Sequence, residues 1–204
     1  MKNFFDLLPE KFIIFDTEYT AWEGSQERNW SGDDEYMELV QIGALKVIKT
    51  PRTIKIVKKF NIYIKPKKNP ELSEYFINLT GITQNMIDKK AITFNEAMKK
   101  FYSFCRTKND VKLPMFSYGN DYDIIKYNLK LNSVNRKSRF YKWEKKFYDV
   151  RPFFDCYVDT SKYTSGTIYK AFNIENKNVN VHNSLWDCRS IFLSLKCIIS
   201  LILI

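Results

Sequence analysis

The chain has 204 residues, 45% hydrophobic and 16% aromatic, with 33 lysines and arginines against 23 aspartates and glutamates. Such a composition excludes a disordered or low-complexity chain and suffices for the core of one domain, predicted over 1–204. The formal net charge of +10 favours polyanionic partners and says nothing about the fold.

Cys105, Cys156, Cys188 and Cys197 form no C-x-x-C pair and no zinc or disulfide-framework spacing, which fits a reducing cytoplasm. The first residues lack the progression of a secretory signal, so a cytoplasmic protein is expected.

The first apolar run, Phe12-Ile13-Ile14-Phe15, reads as a buried strand, and Asp16 and Glu18 follow it directly. Side chains two residues apart on an extended chain share a face, so these two charges repel. Either Asp16 begins a turn and Glu18 is solvated, or a divalent cation holds the pair together. Residues 21–35, with Gly24, Gly32, Trp22 and Trp30, are a polar insertion predicted to loop over the strand ends. "MELVQIGALKVI" and "TIKIVKKFNIYIK" are two further strands, the second alternating Phe60, Ile62 and Ile64 with Lys59, Asn61 and Tyr63.

Helical patterns come next. "NPELSEYFINLTGIT" reads as a short helix closed by Gly81, and Thr93 with Glu96 makes a T-x-x-E capping box ahead of "FNEAMKKFYSFCR". "LPMFSY" is a buried strand, "DIIKYNLKL" a helix, "RKSRFYKWEKKFYDVRPFF" a basic aromatic connection and "GTIYKAFNI" a helix. The final stretch, "IFLSLKCIISLILI", is too short for a membrane span and is interrupted by Lys196, so a core helix is predicted. Docking to a protein partner is its other reading. The order of elements predicts an α/β domain with a mixed sheet flanked by helices.

Acids recur at two more element ends. Asp121 and Asp123 stand where a strand yields to a helix, a place that welcomes carboxylates for capping and dipole reasons alone. His182, the only histidine, precedes a helix that carries Asp187 near its first turn. It is equally a structural histidine at a helix start or a proton acceptor near neutral pH. Together these groups match phosphodiester hydrolysis, in which converging carboxylates hold two divalent ions about 4 Å apart and a neutral imidazole takes a proton from the attacking water. Oxygen ligands suit magnesium or manganese better than zinc.

The segments "FDTE", "YGNDYD" and "HNSLWD", in that order and with "LTGIT" at 79–83, resemble the three motifs of the DEDDh class of DnaQ-like 3′-5′ exonucleases. The resemblance runs from about Phe12 to Leu195. Within that class, "IYIKPKKNPELSEYFINLTGITQNMI", "SYGNDYD" and "GTIYKAFNI" are similar to the Eri-type exoribonuclease branch and its KapD-like relatives. The resemblance implies an RNase H-like fold and two Mg²⁺ or Mn²⁺ ions. Asp16 would bridge both ions, Glu18 and Asp187 would help bind the catalytic one, Asp123 would help hold the second, and His182 would be the general base. Asp123 is preferred for the middle motif because apolar residues follow it into a helix; Asp121 is the alternative. By the same resemblance, backbone groups around Tyr19 and Thr20 and the loop Gly81-Ile82-Thr83 line the pocket for a terminal nucleotide. The implied activity is release of nucleoside 5′-monophosphates from single-stranded RNA or DNA 3′ ends, RNA being favoured. A DNA proofreading or repair exonuclease and a catalytically silent nucleic-acid-binding module are the competing readings. Trp22 and Trp30 in the insertion and the basic aromatic segment 136–151 are candidate contacts for a single strand.

Overall fold

The computed structural model describes residues 4–176 and 179–203. Its centre is a five-stranded sheet in the order β3-β2-β1-β4-β5, formed by β1 (Lys11–Tyr19), β2 (Leu39–Thr50), β3 (Thr53–Tyr63), β4 (Met115–Ser117) and β5 (Phe147–Asp149). β1, β2 and β3 pair antiparallel as a meander, whereas β4 joins β1 in parallel and β5 joins β4 in parallel. The three-residue strand β5 lies inside the segment expected to be only a basic connection. It forms because Phe147 and Tyr148 extend alongside Met115 and Phe116, which gives β4 a second neighbour.

The helices are α1 (Phe4–Leu7), α2 (Glu74–Thr80), α3 (Gln84–Lys90), α4 (Phe94–Phe104), α5 (Asp121–Leu131), α6 (Arg151–Phe154) and α7 (Ser184–Ile202). Gly81 closes α2 at φ +71°, its N–H donating to the Ile77 carbonyl, a left-handed cap that suits glycine. Thr93 and Glu96 form the expected capping box on α4. The segment expected as a helix before His182 tightens instead into a 3-10 helix over Ile168–Phe172, ended by Asn173 at φ +53°.

β1 is buried on both faces, so its alternation sorts residues between two cores. Ile13 and Phe15 face α4 and α5 among Phe101, Ile125 and Leu129. Phe12 and Ile14 face α7 among Ile191, Leu195 and Ile198. The C-terminal apolar stretch is therefore the core helix α7 up to Ile202, and its last residue, Ile204, lies outside the described residues. Among the described residues no helix is long and apolar enough to cross a membrane.

Candidate active site

Continuing the alternation past Phe15 places Asp16 and Glu18 on the α7 face and Thr17 on the α5 face. The strand ends beside the point where the chain order switches from β2 on one side of β1 to β4 on the other, the crevice where open α/β sheets hold ligands.

α7 reaches the acids because β2 carries glycine opposite Asp16. Gly43 is the Cα partner of Asp16, and a β-carbon on Gly43 would lie 2.4 Å from the Leu185 nitrogen and the Ser184 carbonyl carbon. Only glycine lets the first turn of α7 rest on the sheet this closely. Gln41, partner of Glu18, accepts from the Ser184 N–H at 3.1 Å and donates to Asn61 at 2.8 Å, fixing the same helix start. Asn183 caps it by accepting from the Trp186 N–H.

Asp187 then projects at Asp16 and Glu18: one ligand oxygen from each of these three buried carboxylates lies within 4.8 Å of the others. Ser165 donates to Asp187 Oδ2 at 2.9 Å, while Asp187 Oδ1 is buried with no hydrogen-bond partner. Gly166 backs that oxygen so closely that a β-carbon would sit 2.5 Å from it. The Gly166 carbonyl accepts from the Trp186 indole at 3.0 Å, so α7 carries both the carboxylate and the support for its cradle.

The fourth acid enters from the α5 face. The Thr17 N–H and hydroxyl both donate to Asp121 Oδ1, at 2.9 and 2.7 Å. Asp121 lines the same cavity as the other three. The structure places Asp121 at the cavity where the middle motif was expected to supply Asp123: the Asp123 side chain is 59% exposed, paired with Lys126 at 2.7 Å, and outside the cavity. Two residues along a helix turn the side chain by about 200°, so Asp121 and Asp123 cannot both face the acids, and Thr17 selects Asp121.

Burial raises all four acids, and repulsion adds to it, from within the cluster for Asp16, Glu18 and Asp187 and from Asp149 for Asp121. Asp16 and Glu18 are held well above the usual carboxylate range. Asp187 is pushed up to about 7 by burial, against the opposing pull of the Ser165 hydroxyl. Asp121 is raised to about 6, again by burial, with the Thr17 hydrogen bonds opposing. Four carboxylates packed this way, oxygen-only donors with one unpaired buried oxygen among them, fit hard divalent cations.

His182 lines this cavity of about 490 Å³, in a left-handed backbone conformation at φ +62°. Burial lowers its pKa, which favours the neutral imidazole. Tyr19 lines the cavity as well, and burial, then the charges of the acids, push its phenol up to about 12. Thr20 is buried and not among the lining residues, its carbonyl accepting from the Trp30 indole at 2.9 Å. The insertion covers one side, with Ala21, Ser25, Gln26 and Trp30 as lining and Trp30 against Tyr19 at 5.4 Å between ring centroids.

Gly81, Ile82 and Thr83, expected at the pocket for a terminal nucleotide, are not among the residues that line the cavity. Gly81 ends α2, Thr83 caps α3 and Ile82 is buried with Phe76 and Ile87, so the start of the "LTGIT" segment is what faces the site, through Leu79 and Thr80. Of the basic segment 136–151, Arg151 alone reaches this cavity. Ser165, Thr17 and Gly166 were not singled out in the sequence, because hydroxyls and glycines carry no spacing signal of their own.

A five-stranded mixed sheet with helices on both faces and converging acids at the β1 end is the RNase H-like exonuclease fold, and residues 13–193 match the exonuclease (RNase_T) family model. The chain belongs to that family. It is 28% identical to human 3′-5′ exoribonuclease 1 over 153 residues, covering 73% of this chain and 40% of the relative. It is 26% identical over 123 residues to the probable 3′-5′ exonuclease KapD of Bacillus subtilis, covering 60% and 54%. The chain thus spans less than two thirds of the length of these curated relatives. Its fold superposes with a TM-score of 0.73 on the nuclease domain of 3′hExo, a DEDDh family member bound to rAMP, at 21% identity and covering 95% of this chain and 92% of that one.

Proposed function

We propose that the chain is a metal-dependent 3′-5′ exonuclease that removes nucleoside 5′-monophosphates from single-stranded 3′ ends, with RNA as the favoured strand. The observation that carries this reading is the convergence of Asp16, Glu18, Asp121 and Asp187 with His182 on one cavity. Family membership and the exoribonuclease relatives support it.

Asp16, Glu18 and Asp187 would hold Mg²⁺ or Mn²⁺, with Asp121 facing them from α5. Bound divalent cations supply positive charge that offsets the carboxylates and stabilises charge developing on the phosphate. His182, neutral and half-buried, accepts the proton of the attacking water. The water oxygen bonds to phosphorus as the bond to the 3′ oxygen of the preceding nucleotide breaks, and that oxygen takes a proton from solvent to leave a 3′-hydroxyl on the shortened strand, the His182 imidazolium later returning its proton to solvent. Trp30 and Tyr19 offer aromatic faces to the terminal base. Thr17 and Ser165 position Asp121 and Asp187 through their hydrogen bonds. The domain assignment, one catalytic domain over 1–204, and a cytoplasmic setting suited to four free cysteines belong to the same proposal.

Identification of the released product tests the chemistry. Nucleoside 5′-monophosphates from a free 3′ end, and none from a 3′-blocked strand, are expected; internal cuts would contradict the reading. The silent-module alternative requires binding with no product at all.

A further inference from the structure

A second cavity, of about 1100 Å³, lies at the opposite end of the sheet and shares no lining residue with the acidic one. Lys11, at its rim, starts the strand that ends in the acids; Asp16 is five residues further on and Glu18 seven, about 16 and 23 Å along extended chain. Lys46 and Lys58 are direct cross-strand partners on β2 and β3, a like-charge pairing that destabilises a sheet. The loop after α4 and the end of that helix add Lys99, Lys100 and Lys108, all exposed, and Arg139 reaches in from the basic segment. Among the described residues its one lining carboxylate is Asp110, which is taken by Arg106.

Apart from Asp110 on Arg106, no carboxylate among the described residues lining the cavity offsets these cations. Burial first, then the charges of Lys58 and Lys11, hold the Lys46 ammonium below its usual range, with the Cys105 side chain acting the other way. The Lys46 ammonium donates to the Arg106 carbonyl at 2.8 Å, and Arg106 and Arg139 both stack on Tyr102, at 4.7 and 4.8 Å from its ring centroid. The cations are thus partly ordered on a fixed surface. An extended polyanion carrying regularly spaced charges would relieve their repulsion, whereas a mononucleotide would fill a fraction of the groove.

We propose that this groove is a second polynucleotide site that binds the phosphate backbone of single-stranded nucleic acid without reading its bases, remote from the catalytic acids. Naming nucleic acid as the ligand rests on the exonuclease reading. The site lets the enzyme hold the body of a strand while its 3′ end occupies the acidic cavity, and it makes affinity depend on strand length.

The test compares the wild-type chain with Lys58→Glu/Lys99→Glu/Lys108→Glu. Binding is measured in EDTA by fluorescence anisotropy of a labelled oligoribonucleotide several times longer than the acidic cavity holds, and turnover on a trinucleotide. The expected result is at least a tenfold weaker affinity for the long strand and a salt-dependence slope shallower by about 2. Trinucleotide turnover is expected to stay within twofold. Unchanged long-strand affinity would overturn the proposal, as would recruitment of the wild-type chain by phosphatidylserine vesicles with no binding of the long strand. If the reversal variant fails to fold, Lys58→Gln/Lys99→Gln carries the same comparison with a smaller shift. Charge-dependent strand binding with no shortening of any RNA or DNA would retain the groove and refute the exonuclease reading, so the two failures are distinct.

Discussion

Both donors of Thr17 converge on a single oxygen of Asp121, its N–H at 2.9 Å and its hydroxyl at 2.7 Å. One residue inside "DTE" thereby chooses which of two acids on α5 joins the site. Asp121→Asn is expected to lower turnover by about 100-fold, and Thr17→Val by about tenfold through loss of positioning. Asp123→Asn, at an exposed ion pair, is expected to change it less than twofold. Steady-state rates on one labelled oligonucleotide check all three.

Gly43→Ala tests how α7 is seated. A β-carbon would collide with the backbone of Ser184 and Leu185, which is not free to rotate away as a side chain would be. Denaturant unfolding is expected to show a loss of about 1–3 kcal/mol, with activity falling because Asp187 moves with the helix.

His182→Asn removes the base while keeping a residue that tolerates the left-handed backbone at that position. Turnover at pH 7 is expected to fall by about 10²–10⁴-fold, with nucleic-acid affinity within twofold. Full turnover would remove His182 from the mechanism.

The buried acids predict an inverted pH dependence for the metal-free protein. Asp187 at about 7 and Asp121 at about 6 are raised above their ordinary value of 3.8. Between those limits the folded state binds more protons than the unfolded one, so stability falls as pH rises from about 4 to 7. In EDTA the thermal midpoint is expected to be higher at about pH 5 than at about pH 8, and adding Mg²⁺ or Mn²⁺ should raise it more at the higher pH. Asp16→Asn is expected to shrink the metal-induced rise. Equal midpoints at both pH values in EDTA would contradict the burial of these groups.

D-x-E after an apolar run placed two acids on one sheet face without saying what they do there, and it was the resemblance carried by "FDTE", "YGNDYD" and "HNSLWD" in that order that implied the architecture around them. Pattern favoured the wrong member of the Asp121/Asp123 pair for this cavity: both stand at a helix start, and the apolar run Ile124-Ile125 that follows Asp123 directly reports the helix interior and not which carboxylate faces the sheet. The choice depends on helix phase relative to Thr17, a contact across 104 residues. β5 escaped notice because three residues are too few to display alternation, and Phe147 and Tyr148 sit among basic residues. The groove at Lys46 and Lys58 was hidden for a similar reason, since lysines spread over 11–108 become neighbours only through strand register.

The most direct measurement follows single-stranded RNA, labelled separately at its 3′ and 5′ ends, with Mg²⁺, Mn²⁺ or EDTA, for the wild-type chain, Asp121→Asn and Asp123→Asn. Stepwise shortening from the 3′ end that requires metal, is lost in Asp121→Asn and survives in Asp123→Asn is the expected result. Shortening that persists in EDTA or in Asp121→Asn, or that is lost in Asp123→Asn, would contradict the site described here.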